Sequence, residues 1–261
     1  MAAARPIFVV AGVGAGSGTG ASTARLFSKN GYRVAVIARG ADRAKKLADE
    51  INSSGGEAAG FGTSDYAYKS ILSVMDEIKS FKWPSTQQPA QIRAALWNAG
   101  NSVFNQFLDV SEDDLNLSLQ SNVQGPFAFS RQAVLSFRDN ELDERGKRGT
   151  LLFTGATAST RGNTWTSAVA AGKFGLRSLS QSLAKEFGKE NIHVAHTIID
   201  GIILTERTIA RHSNMPKAQF EENADARLNP DSIAEAYFYL ANQDRSAWTW
   251  ELDLRPAHEK W

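Results

Sequence analysis

Cysteine is absent from all 261 residues, which excludes disulfides, thiolate nucleophiles and cysteine-ligated zinc together. Histidine is scarce as well. His193, His196, His212 and His258 are dispersed without metal-ligand spacing, and His193 and His196, in one predicted strand, face opposite ways. This reading leaves no metal site. No apolar stretch approaches the ~20 residues that a membrane span needs. An excess of either charge is also missing: 29 Lys and Arg stand against 28 Asp and Glu, with no long block of one sign. Neither nucleic acid nor an anionic membrane is therefore expected as a partner. The start, Met1 to Pro6, is too short before the first apolar run to be a signal peptide, so a cytoplasmic location is the expectation.

Glycine, by contrast, is plentiful and concentrated. Gly12, Gly14, Gly16, Gly18 and Gly20 alternate between an apolar run, Ile7 to Ala11, and a helical segment, Ala21 to Lys29. Without a Cβ the backbone can turn sharply and bring its N–H groups close to a phosphate, and the following helix points its positive end at the same place. Strand, glycine turn and helix in that order predict a dinucleotide pyrophosphate site.

Apolar strands and amphipathic helices then alternate along the chain. Strands are predicted at 33–38, 57–63, 92–97, 150–154, 193–199 and 248–254, giving about seven with the first. Helices are predicted at 42–53, capped by Asp42, at 66–80, at 111–138, where Ser111 and Asp114 form a cap, at 166–189, and at 231–242, capped by Asp231. Residues 82–91 and 139–149 read as loops, and 205–229, without a clean period, as a flap. Near-continuous apolar strands in repeated β-then-α units predict an α/β fold: a doubly wound parallel sheet, the Rossmann fold, in a single domain. No repeat or linker divides the chain. Ligands of such sheets bind beyond the carboxyl ends of the strands, so the glycine turn, Asn98-Ala99-Gly100, Thr154-Gly155 and Asp200-Gly201 should line one cleft.

These residues together resemble the short-chain dehydrogenase/reductase family, from Val9 to about Leu254. Gly14-x-x-x-Gly18-x-Gly20, with Ser17 and Thr19 inside it, is similar to the family's glycine motif. Asp65 falls where the family places an acid that contacts adenine. Asn98-Ala99-Gly100 matches the NNAG segment, with Trp97 for its first asparagine, and Asn122 matches the helix asparagine. Asp200-Gly201-Ile202-Ile203-Leu204-Thr205 resembles the PGxxxT segment that clamps the nicotinamide carboxamide, with Asp200 in place of proline. The resemblance implies a nicotinamide cofactor, a small-molecule substrate, a substrate lid at about 205–229, and a homodimer or homotetramer formed through the two long helices.

The end of the second strand bears on which cofactor. An acid there would bind the adenosine ribose and repel a 2′-phosphate. This chain has Ala38-Arg39-Gly40 and then Arg43, forked donors suited to phosphate, which favours NADP(H); two ordinary solvated arginines are the alternative.

The departure from the family lies in its catalytic pair. Lys173 of the YxxxK pair is present, with the ribose-holding role that the resemblance implies, but the tyrosine position is Val169 and the serine position is Ala156. No tyrosine occurs between Tyr68 and Tyr237 to replace it. Hydride chemistry is still open to an acceptor that needs no tyrosine acid, such as an iminium or an activated double bond. Thr157, Ser159, Ser167 and Asp200 are the replacement candidates; Asp200 could orient a cationic substrate or hydrogen-bond the loop backbone. A non-redox regulator or cyclase on the same scaffold stays open beside the oxidoreductase. Core or subunit packing is the preferred reading of Trp165, Trp248 and Trp250.

Overall fold

The computed structural model describes residues 5–86, 91–101 and 103–258. The reading of Met1 to Ala4 as no signal segment, and part of the loop at 82–91, lie outside the described residues. Seven parallel strands form one sheet in the order β3-β2-β1-β4-β5-β6-β7: β1 Ile7–Ala11, β2 Arg33–Arg39, β3 Ala58–Thr63, β4 Ile92–Trp97, β5 Gly149–Thr154, β6 Ile192–Ile199 and β7 Glu251–Leu254. Every residue of β1, β5 and β6 is buried, as strands covered on both faces require.

Alternate side chains of β1 enter two cores. Ile7, Val9 and Ala11 join the layer containing Phe129, Phe137 and Leu176, which belong to α5 (Gly125–Arg138) and α6 (Ser167–Phe187). Phe8 and Val10 join the opposite layer with α1 (Thr19–Lys29), α2 (Ala41–Ser53) and α8 (Pro230–Ala241). There Phe27 stacks on Phe8 at 3.9 Å between centroids and meets Phe238 edge-on at 5.3 Å. The strand order reverses at β1, and the cleft opens above the neighbouring ends of β1 and β4.

Two expected caps are corrected. α2 begins after Gly40, whose φ is +90°, with no side-chain cap; Asp42 lies in the first turn, where it only complements the dipole. α8 is capped by Asn229, whose side chain accepts the N–H of Asp231 at 3.0 Å, and Pro230 occupies the first turn. Ser111 does cap its helix, accepting from Asp114 N at 3.1 Å while Asp114 Oδ2 takes Ser111 N at 3.2 Å. The long helix expected at 111–138 is three pieces in continuous succession: α4 Glu112–Leu119, a π-helical turn Gln120–Gln124, and α5. The first helices and last strand also shift. α3 is Tyr68–Ser80, and β7 loses Trp248 to Trp250, of which Trp248 stacks on His193 at 5.0 Å. The segment 205–229 contains α7 Glu206–Arg211, capped by Thr205, and is closed at its base by Leu204 N to Leu228 O and Leu228 N to Ile202 O, both at 2.9 Å. Among the described residues no helix is long and apolar enough to cross a membrane.

Candidate functional site

Glycine shapes the first part of the cleft. Gly12 turns with φ +93°, and a Cβ there would stand 2.4 Å from Ala99 N; one on Gly20 would stand 2.3 Å from Gly12 O. Only bare backbone lets α1 and the loop after β4 close on this turn. Gly14 and Gly16 also have positive φ, with open space where a Cβ would be. Gly18 precedes α1 without a side-chain cap, so the helix's first N–H groups are not covered by a capping side chain. Asn98 braces the turn: its Nδ2 donates to Gly12 O at 2.6 Å, its Oδ1 accepts Thr154 Oγ1 at 2.8 Å, and that hydroxyl meets Tyr237 OH at 2.7 Å. Ends of three strands and α8 are thereby joined around one amide.

A cavity of about 410 Å³ runs from this turn to the end of β2 and is lined by Ser17, Arg39, Arg43, Ala99 and Arg207 together with Tyr66. The Arg39 guanidinium lies 5.3 Å from the centre of the Tyr66 ring, and among the described residues the lining includes no carboxylate. Tyr66 and Arg207 are members that the sequence does not flag: Tyr66 reads there as the start of a helix. Asp65 is not in this lining. Its carboxylate accepts Ala67 N at 2.9 Å and the Ser64 hydroxyl at 3.3 Å, and hydrogen bonds from Ser70 and Ala67 hold its pKa below the ordinary value.

A second cavity, about 540 Å³, continues toward α6 and shares Gly12, Gly14, Gly18, Asn98, Gly100 and Thr205 with the first. Lys173 enters it from α6. Nζ is buried and donates to Thr154 O at 2.8 Å, and with no carboxylate partner its pKa falls to about 8 through burial. Asn122, on the π turn, donates to Ser118 O at 3.0 Å, and its buried Oδ1 has no partner among the described residues. Both flank Gly100, where a Cβ would lie 3.6 Å from Lys173 Nζ and 3.8 Å from Asn122 Oδ1. Thr19, on the same cavity wall, has a buried hydroxyl without a partner. Ile203 and Thr205 close the far side.

Val169 lies one turn before Lys173, on the same helix face, and with Ala156 gives this end of the cavity an apolar surface. None of the replacement candidates presents an uncommitted hydroxyl or acid there. Thr157 donates its hydroxyl to Asp200; Ser159 is buried and accepts Ala156 N at 3.1 Å; Ser167 is exposed at the start of α6 and is not in the cavity wall. The Asp200 carboxylate is also engaged. Besides Thr157, it has Arg255 at 2.5 Å and Arg161 at 3.4 Å, so it anchors the strand end to the C-terminal segment.

The polar groups present fit a dinucleotide. Glycine-turn amides and an uncapped helix start suit a pyrophosphate, Arg39 and Arg43 suit a further phosphate, and Thr19, whose hydroxyl has no partner among the described residues, lines the same cavity. Residues 8–216 match the short chain dehydrogenase family. The chain belongs to that family. Among its relatives is the uncharacterized oxidoreductase YxnA of Bacillus subtilis, 27% identical over 238 residues, or 91% of this chain and 63% of that protein. A 3-oxoacyl-[acyl-carrier-protein] reductase of Bos taurus is 26% identical over 89% of this chain and 90% of its own length. A solved short-chain dehydrogenase from Rhodopseudomonas palustris is 27% identical, with a TM-score of 0.74 over 97% of this chain and 99% of the other. The same fold recurs, at 20% identity and a TM-score of 0.74 over 97% and 98% of the two chains, in a metagenomic short-chain oxidoreductase solved in complex with NADP.

Proposed function

We propose that the protein is an NADP(H)-dependent oxidoreductase acting on a small molecule that needs no tyrosine acid, an iminium or an activated double bond. The observation that carries this reading is the two-ended cleft: donors fill its cofactor end, and Val169 with Ala156 fill the place where a proton donor would stand. When bound, the nicotinamide cofactor supplies a hydride. The chain's own residues bind and orient. Gly14, Ser17, Gly18, Thr19 and Gly20 hold the pyrophosphate, Arg39 and Arg43 the 2′-phosphate, and Lys173 the ribose. Ala99 and Gly100 form the floor, Asn98 fixes it, and Ile203 and Thr205 hold the carboxamide. Asn122 positions Lys173, and Asp200 fixes the loop that follows β6. Val169 and Ala156 keep water from the reacting face. Segment 205–229 is the lid. Exposed Leu115, Phe127 and Phe174 mark the face for a homodimer or homotetramer, whereas Leu176 and Leu179 on α6 are core.

Isothermal titration is the test of the cofactor. NADPH is expected to bind about tenfold more tightly than NADH, the difference falling away in Arg39→Ala. Equal affinities in the wild type overturn it. Following NADPH oxidation over a panel of ketones, imines and enones tests the reaction: binding without turnover of any acceptor leaves the non-redox use of the cleft.

A further inference from the structure

Among the described residues, the wall of the 540 Å³ cavity carries two cations, Lys173 and Arg161, and no carboxylate. Lys173 is spent on Thr154 O and lies beside Asn122 and Gly100, at the cofactor end. Arg161 is placed differently. It follows the 3-10 turn Thr157–Ser159, where the N–H groups of Thr160 and Arg161 both donate to Thr157 O, at 3.0 and 3.2 Å. Its side chain is 41% exposed, and Nη1 stands 3.4 Å from Asp200 Oδ2. Arg255 sits closer to that same oxygen, at 2.5 Å, and the Thr157 hydroxyl takes the other. Asp200 thus pairs with Arg161 Nη1 as an ion pair, with no hydrogen bond to the guanidinium among the described residues. Four neighbours on the wall, Phe104, Ala156, Ala158 and Val169, are apolar.

We infer that Arg161 is a specificity-determining residue that receives the carboxylate of a substrate whose remaining body is apolar. A guanidinium presents parallel N–H groups that match a carboxylate's two oxygens, and the site leaves those donors to the cavity. Apolar walls strengthen such a pair by excluding water, and Phe104, 46% exposed, offers a ring to the body of the molecule. A cationic acceptor would instead meet Arg161 and Lys173 on a wall that carries no carboxylate among the described residues. Of the two acceptor classes, the inference thus selects an acid with an activated double bond over an iminium; it rests on the cofactor reading of the same cleft.

Binding, rather than turnover, is the direct measurement. Protein saturated with NADP is titrated with two probes, trans-cinnamate and cinnamamide, which differ in the charge of one group. Cinnamate is expected to bind about tenfold more tightly, the worth of one charge-assisted hydrogen-bonded pair. Arg161→Gln should abolish the difference, and Arg161→Lys should keep only part of it because the charge remains but the fork is lost. Equal binding of the two probes by the wild type, no binding of cinnamate, or a preference that survives in Arg161→Gln overturns the assignment. NADP affinity, titrated alone in each variant, should not change. Its absence in the wild type sinks the cofactor reading itself, so the two failures are distinguishable.

Discussion

The two ends of the cleft are built from opposite materials. Around the glycine turn and the end of β2, backbone amides, Asn98, Lys173 and two arginines bring donors on fixed elements, and the Asn98–Thr154–Tyr237 chain ties their supports together. At the other end, Val169 and Ala156 offer methyl groups, and the nearby Thr157 and Ser159 hydroxyls are engaged within the protein. Holding a ligand and moving its proton are thus separate demands. The first needs many donors held by backbone; the second needs one group with a suitable pKa.

The largest break in this comparison should come from Gly12→Ala. Its Cβ would stand 2.4 Å from Ala99 N at a φ of +93°. Overpacking and left-handed strain together cost about 3 kcal/mol. Thermal unfolding should drop by about 10 °C, with NADP binding lost; an unchanged melt and titration would show that the turn tolerates a side chain.

Lys173→Met should lower NADP affinity by tenfold or more, for the loss of a charge-assisted hydrogen bond. The apo protein should melt no lower, because a desolvated ammonium is removed. Burial sets the wild-type pKa at about 8 against an ordinary 10.5. The ammonium therefore predominates below pH 8, and wild-type NADP affinity should fall as pH rises through 8 while the Met variant stays flat. The folded pKa lies below the unfolded one, so this lysine weighs against the fold at neutral pH, and that cost declines from pH 8 toward 10.5. Affinity independent of pH in the wild type would remove the lysine from the ribose.

Acid should act on the substrate end from behind. His196 packs under Gly155, where a Cβ would lie 2.3 Å from its Nε2, and burial lowers both His193 and His196 to about 4. Each is neutral when folded but takes up a proton in the unfolded chain below its ordinary 6.5. Stability is therefore full above that value and is lost as pH falls toward 4, about 2 kcal/mol per histidine by pH 4.5. Urea unfolding at pH 7 and 4.5 measures it, and His196→Gln should flatten the slope. A profile equally steep in that variant assigns the loss elsewhere.

The smallest effect is a gain. Val169→Tyr with Ala156→Ser should confer weak ketone reduction, well below the ~10²–10⁴-fold that an optimised general acid supplies. Rapid reduction of a simple ketone by the wild type would show that another group already fills the place and would erase the contrast between the two ends.

Most of the sheet was legible because its strands are buried on both faces and read as unbroken apolar runs. The glycine turn was equally plain, since its spacing reflects backbone contact more than side-chain chemistry. Helix ends were harder. An acid in the first turn and an acid at the cap look alike in sequence, and Gly40 and Asn229 took the places expected of Asp42 and Asp231. At the site, sequence spacing singled out Asn122 and Lys173, which the fold brings to either side of Gly100, but not what surrounds Asp200. Its partner Arg255 comes from beyond the last strand, and only the fold brings the two together. Tyr66 escaped notice for a similar reason: its pairing with Arg39 depends on β2 and β3 ending side by side.

The turn at Gln120–Gln124 works like a cam on a shaft. One residue more than an α turn holds advances everything beyond it by about 100°. The offset also lets the carbonyl of Ser121 accept Trp97 Nε1 at 3.0 Å, while Ser118, one turn earlier, donates to Ala168 O at 2.8 Å. The two ends of one rod thereby address different neighbours, the sheet on one side and α6 on the other. Removing a single residue here would leave a smoother rod with its far half rotated, turning Phe129 and Phe137 away from the interior they fill.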